Sequence, residues 1–445
     1  MSASTGKPRI GADRGSWRTW RPDQLVRSSF FLIAASAVMA GLGFVFWVLV
    51  ARLYTPAQVG VATTLISATE LIAFFSLFGL NSTLIRFLAP PGARNAQITQ
   101  ALALVSLAAC LLGAAYLLGL PWYGQDLLFV RADLVMSASF VVFCVLSALN
   151  QLTDAVFIGA RIPQYNMLVD GGIQGLTKIA LPVVLVGFGA YGIVGAAGGA
   201  YAAAVLASLI FMWRRLGFRF DARRRRSHLL VRAGFSAASY AFSACTLLPI
   251  LAIPLIALHW LGPAAAGYYF VAFQIANLLN TLSDNVGEAT LAEATYDPSR
   301  FTEMLRRSAV ILAAVQIPAS VVLAAGSGLV LLLFGGAYAA HARTLLVVLT
   351  LGALGFALRT WASFGLKLAG RLVHLVLSGV LFSGVTIGLA VTWAHRGLVW
   401  IGWAWCVGNL VSGVYAAVAL LAGNHTPAPR PTPAPELATS RGDHP

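Results

Sequence analysis

The sequence predicts an all-α membrane protein of about twelve transmembrane helices. Three observations carry this reading. Of 445 residues, 59% are hydrophobic and only 10% are charged, where a soluble domain carries roughly 25% charged residues. Apolar runs of about 20 residues recur from Phe30 to Leu421, the length of a helix that crosses hydrocarbon. Lys and Arg then gather on one side of those runs. A helix satisfies its own backbone hydrogen bonds within lipid, and the short alternating segments of a barrel do not occur in the sequence.

Taken in order, residues 1–29 are polar and Arg-rich, and no short apolar core with a small-residue cleavage site follows. They read as a basic cytoplasmic tail. Twelve spans follow, at about 30–51, 58–80, 98–119, 134–156, 167–188, 190–213, 235–258, 264–286, 308–334, 343–364, 373–394 and 398–421. They divide into an N-terminal six-helix bundle (30–213), a basic cytoplasmic linker (214–234) and a C-terminal six-helix bundle (235–421). The last segment, 422–445, is rich in Pro, Thr and Ala and reads as disordered. With both termini inside, 24 Lys and Arg fall in cytoplasmic segments and 4 outside: Arg52, Arg131, Arg343 and Arg396. Lys178 and Arg359 stay within spans. An odd number of helices would scramble this asymmetry.

The two blocks resemble each other. After span one the chain reads ARLYTPAQVG (51–60), and after span seven ALHWLGPAAAG (257–267). Both are tight outside turns with Pro-x-x-x-Gly leading into the next helix. In this register Glu70 falls opposite Asn277 and Arg86 opposite Glu293. Each half enters from the same side, so the repeat is parallel, and transporters often bind substrate between such halves.

Ionisable groups inside spans cost roughly 2.5–3.5 kcal/mol each, so they mark positions facing water, protein or cargo. Glu70 lies near the centre of span two and is an ion-coupling candidate; a neutral, hydrogen-bonded buried Glu is the other reading. Lys178 in span five and Arg359 in span ten are candidate contacts to a phosphate-bearing substrate, with Arg52 as a third. The competing reading pairs Lys178 with Glu70 or Asp170 and lets Arg359 snorkel to the interface. Asn150 and Asp154 share one face of span four, and Asn277, Asn280 and Asp284 form a stripe in span eight. The asparagines are further substrate candidates, and Asp154 and Asp284 further ion-coupling candidates. The other reading of either stripe, and the commoner case in membrane helices, is that it holds helices together. Pro249 and Pro254 should kink span seven.

Other classes of function are disfavoured. Cys110, Cys144, Cys245 and Cys406 lie far apart within apolar runs, so no metal or disulfide framework is expected. No Gly-rich phosphate loop with its Lys-Ser/Thr element occurs, no cofactor is called for, and no catalytic nucleophile stands out. The net charge of +15 sits beside helix ends, which points to topology and anionic lipid heads instead of nucleic acid.

Beyond these readings, ARLYTPAQVG (51–60), GLNSTLIRFLA (79–89), LGPAAAGYYFVAFQIANLL (261–279) and LLFGGAYAAHARTLLVVL (332–349) are loose motifs in a telling order. With them the chain resembles the Wzx-type oligosaccharide flippases of the multidrug/oligosaccharidyl-lipid/polysaccharide exporter (MOP) superfamily. The resemblance implies two six-helix bundles around a central cavity that opens alternately to each side. It also implies a polyprenyl-pyrophosphate-linked oligosaccharide as cargo, in a bacterial cytoplasmic membrane, with polysaccharide polymerase and glycosyltransferases as partners and H+ or Na+ as coupling ion. Many relatives carry a Pro after span eight; here Gly287 to Ala294 has none. Two alternatives stand beside the flippase: a cation-coupled antiporter for drugs or small metabolites, and a transport-inactive scaffold for glycosyltransferases.

Overall fold

Helix starts are written locally. The Thr55 hydroxyl accepts from the Gln58 amide, and the Gln58 side chain accepts from the Thr55 N–H, so both orphan donors are satisfied; Pro56 fills the first turn. The repeat of this turn begins at Pro263, after Gly262 in the left-handed region (φ 84°). In the computed structural model, residues 41–221, 237–296 and 301–422 are described. The expected basic tail, the greater part of the linker, the C-terminal tail and the Glu293 side chain lie outside the described residues.

The longer described helices are α1 (Gly41–Leu53), α2 (Pro56–Ser76), α3 (Pro91–Tyr123), α4 (Leu134–Gly159), α5 (Gln164–Val184), α6 (Ala190–Leu216), α7 (Ala237–Leu261), α8 (Pro263–Tyr296), α9 (Phe301–Phe334), α10 (Gly336–Leu368), α11 (Leu372–Trp393) and α12 (Leu398–Leu421). Ten described helices are long and apolar enough to cross a membrane. The other two are α1, of which only Gly41–Leu53 is described, and α8, whose Gln274, Asn277, Asn280 and Asp284 lower its hydropathy.

Several helices outrun the expected spans. α3, α9 and α10 start about two turns early, because the helix continues beyond the strongly apolar run, through polar turns in α3 and α9 and an Ala-rich one in α10. α2 ends at Ser76, before the expected 80; Gly79 (φ 75°) then turns the chain into a separate short helix, Leu80–Phe87. α7 runs unbroken through Pro249 and Pro254. α5 contains a π-helical segment, Met167–Gln174, which the sequence does not announce.

In the first half α3 and α6 pack on α4, α5 packs on α6, and α2 touches α4 and α6. In the second half α10 is the hub, against α8, α9 and α12, while α11 lies on α7 and α12. Leu107, Leu111 and Leu118 of α3 and Val321, Val322 and Leu329 of α9 are exposed, as lipid-facing side chains must be. α2 joins the halves by packing on both α7 and α8. The crossing with α8 is built from the two repeat motifs. A Cβ on Gly60 would stand 1.9 Å from the Pro263 carbonyl oxygen, and one on Gly267 would stand 2.1 Å from that of Pro56. Each glycine thus admits the other motif's proline backbone, and only glycine fits.

Candidate functional site: a charged cavity between the bundles

Toward the middle of α2, beyond the glycine crossing, the halves part. The cavity between them holds about 220 Å³. Its wall comes from both bundles: Trp47 of α1, Glu70 of α2, Lys178 of α5, Pro254 of α7, and Phe273 and Gln274 of α8 among others. On one side of it along α2 stands the Gly60–Gly267 crossing. Toward the other, Tyr240 of α7 lies flat on Phe74 of α2, with ring centroids 5.1 Å apart and planes 1° from parallel; its hydroxyl donates to the Phe74 carbonyl at 3.4 Å.

Two charges meet at the wall. The Glu70 carboxylate accepts from the Tyr201 hydroxyl of α6 at 3.3 Å, and the Lys178 ammonium lies 5.1 Å from the centre of the same Tyr201 ring. Lys178 attracts both Glu70 and Asp170. Apolar side chains surround the pair, so its field is screened far less than on a surface. Proline adds to the polarity. Pro254 offers no N–H to the Ile250 carbonyl one turn back, and Ile250 is itself in the wall.

Behind the cavity, Asn150 of α4 donates to the Asp170 carboxylate at 3.2 Å, and the Asp154 carboxyl adjoins Asp170. Glu70, Lys178, Asn150 and Asp154 therefore belong to one connected cluster within the N-terminal bundle.

The remaining candidates lie apart from this cavity. Arg359 is 4% exposed within the C-terminal bundle; its Nε donates to Asn409 Oδ1 of α12 at 3.0 Å. Its guanidinium stacks 4.3 Å from Phe382 and 4.9 Å from Phe356. Asp284 faces it electrostatically and accepts from Thr360 at 3.4 Å. Asn280 donates to Asn277 at 3.1 Å along α8. Arg52 is exposed and donates to the last carbonyls of α9, Leu333 at 2.8 Å and Leu332 at 2.7 Å, tying the two halves together beside the glycine crossing. Neither it, Arg359, Asn277, Asn280 nor Asp284 lines the cavity.

Sequence reasoning passed over Tyr201 and Asn409. Asn409 carried a signal, a lone amide in an apolar span; Tyr201, within a Gly- and Ala-rich helix, carried none. No group of three or more His, Cys, Asp or Glu able to hold a metal ion occurs among the described residues.

Comparison with known proteins agrees with this architecture. No curated protein sequence matches. Among solved structures the chain is similar to a lipid II flippase, MurJ, in an inward closed conformation, with a TM-score of 0.69 at 11% identity over 88% of this chain and 87% of that one. It is also similar to a multidrug-resistance MATE transporter of the MOP superfamily. The inward-facing conformation scores 0.63 at 14% identity, covering 86% of this chain and 93% of that one. The outward-facing conformation scores 0.55 at 13% identity, covering 89% and 94%. At these identities the likeness is one of fold, that of a two-bundle membrane transporter. Residues 25–291 match the model of the family described as polysaccharide biosynthesis protein. That match covers more than half the chain, and in agreement with the resemblance its motifs carry, the chain belongs to the polysaccharide biosynthesis protein family.

Proposed function

We propose that the protein flips a polyprenyl-pyrophosphate-linked oligosaccharide from the inner to the outer leaflet of a bacterial cytoplasmic membrane by alternating access. Both termini are then cytoplasmic. The observation that carries the reading is a cavity between the two bundles with an ammonium, Lys178, in its wall. Moving a pyrophosphate through hydrocarbon without a counter-charge is prohibitive, and a fixed cation offsets much of that desolvation cost. The polyprenyl tail stays in lipid, while the polar head passes between the bundles.

The cavity volume bears on the state of the molecule. About 220 Å³ lies below the roughly 300–1,000 Å³ of ordinary ligand pockets. It has room for a pyrophosphate but not for an oligosaccharide. On this reading the bundles part at the Phe74–Tyr240 contact to admit cargo and at the Gly60–Gly267 crossing to release it.

The test is flipping of a lipid-linked oligosaccharide in proteoliposomes carrying the purified protein. Transport that falls at least tenfold in Lys178→Ala supports the reading. A wild-type protein that moves no lipid-linked glycan, with or without an ion gradient, removes it. A second reading has an observation in its favour. Trp47, Tyr269, Phe270 and Phe273 make the cavity aromatic, with Glu70 in its wall, as a cation-coupled antiporter of small organic cations requires. Uptake of such a cation against a proton or sodium gradient, in vesicles that do not flip glycan, would favour it.

A further inference from the structure

At the turn between α10 and α11 the surface holds an open pocket of about 540 Å³, within the size range of ordinary ligand sites. Gly370, in the left-handed region (φ 69°), makes the turn, and the start of α11 stands there beside the end of α12. The wall has two kinds of residue. Leu372, Val373, Ala419 and Ala422 are apolar, and Arg371 and His374 are basic; no carboxylate is among the described lining residues.

Both basic side chains are held in place. Arg371 Nη1 donates to the Ala419 carbonyl at 2.5 Å, which engages one of the five N–H donors of a guanidinium. His374 Nδ1 lies 3.0 Å from the Tyr415 hydroxyl of α12. Arg371 thereby meets the negative end of the α12 dipole, which would otherwise repel an anion. The start of α11 adds attraction of its own. No side chain caps it, so its first turn has N–H groups and the positive end of a dipole to offer.

Apolar surface leads away from the pocket. Val373, Leu377 and Val380 form an exposed stripe along α11, and Val411, Val414 and Val418 form one along α12, on which α11 packs. A ligand that suits both parts has an anionic head on a hydrocarbon tail. The position suits such a ligand too. Successive helices cross in alternate directions, so the pocket lies on the side where α6 ends in Arg214 and Arg215 and α10 ends in Lys367. Basic residues gathered beside helix ends attract anionic lipid.

We propose that this pocket binds the phosphate head group of an anionic phospholipid such as phosphatidylglycerol, with the acyl chains lying along α11 and α12. The Arg371 guanidinium and the first amides of α11 hold the phosphate oxygens, and His374 closes the side toward Tyr415. None of these residues lines the cavity between the bundles, so the site is separate from the cargo route and does not rest on the flippase reading.

The experiment reads lipid binding alone. The full-length protein is placed in bilayers of phosphatidylethanolamine with a trace of phosphatidylglycerol that carries a diazirine close to its head group. After illumination, labelled peptides are mapped. Labelling should concentrate on residues 370–374 and 415–422. Unlabelled phosphatidylglycerol should displace the probe, while added phosphatidylethanolamine and inorganic phosphate should not. Arg371→Ala/His374→Ala should lower the labelling by about fivefold or more, the factor that one cation beside an anionic lipid surface is worth. The competition arms use the wild-type chain, so they decide the matter even where the double variant fails to fold. Even labelling around the lipid-facing surface, equal displacement by phosphatidylethanolamine, or no loss in a folded double variant would overturn the proposal. So would displacement by inorganic phosphate, which would make this a site for the free ion, or stronger displacement by a polyprenyl phosphate, which would make it a site for the carrier lipid. Labelling seen only in a chain that ends at Ala422 would give the pocket to residues 423–445 instead.

Discussion

Lys178 and Arg359 are both cations inside spans, and their surroundings give them different work. Lys178 is half-buried at the cavity wall, beside Glu70 and near Asp170. Arg359 is sealed between Phe356, Phe382 and Asn409, with Asp284 nearby. Removing one partner of a buried charged network costs about 3–5 kcal/mol. Arg359→Ala should therefore lower Tm and protein yield, and Arg359→Lys should not restore them, since an ammonium cannot reproduce the guanidinium stack and the Nε bond together. Thermal melts of the purified variants check this. Glu70→Gln keeps the shape and the Tyr201 hydrogen bond but drops the charge; it should leave folding intact and abolish the response of transport to an ion gradient, measured in the same vesicles. The sequence disclosed which residues were costly, because a charge in an apolar run stands out. It did not disclose which cost was met by protein and which by the cavity. That depends on Asn409, Phe382 and Tyr201, residues far away along the chain, of which only Asn409 carries a mark in the sequence.

Among elements, α2 and α8 show how much a short motif can say. Pro-x-x-x-Gly was legible as a helix start with a close-packing glycine, and its recurrence at 56–60 and 263–267 marked the repeat. That the two copies press on each other was not legible, since nothing in either copy names its partner. Gly60→Val would set side-chain atoms where the Pro263 carbonyl lies. Steric exclusion must push α2 from α8, so this end of the cavity should open. In a chain with its four cysteines replaced, Trp47→Cys then serves as reporter: a membrane-impermeant maleimide added from the Gly60 side should label it several-fold faster in Gly60→Val than with Gly60 kept. Helix ends were less well read than helix cores. The expected spans followed hydrophobicity, whereas α3 and α9 continue through polar turns, and α10 through an Ala-rich one, that backbone hydrogen bonding supports outside the apolar run. The π-helical segment of α5 stayed hidden, because a one-residue insertion into a helix leaves little trace in composition.

For the whole molecule, twelve spans in two halves followed from apolar runs and the Lys/Arg count, and the fold agrees. The contacts that join the halves did not follow, since composition and charge do not report them. One of these is within reach of cross-linking. Phe74→Cys with Tyr240→Cys, again without the native cysteines, should form a disulfide on oxidation and stop transport, and reduction should restore it; unchanged flipping in the oxidised protein would mean that the bundles need not separate there. α2 carries Gly60 in its first turns, Glu70 further along, and Phe74 near its end, about 21 Å from the glycine. Both contacts are thus mounted on a single stiff rod. If the halves part as proposed, a tilt of α2 about its middle lifts one end as it presses down the other, like a beam on a fulcrum, and the two sides of the membrane are opened in turn.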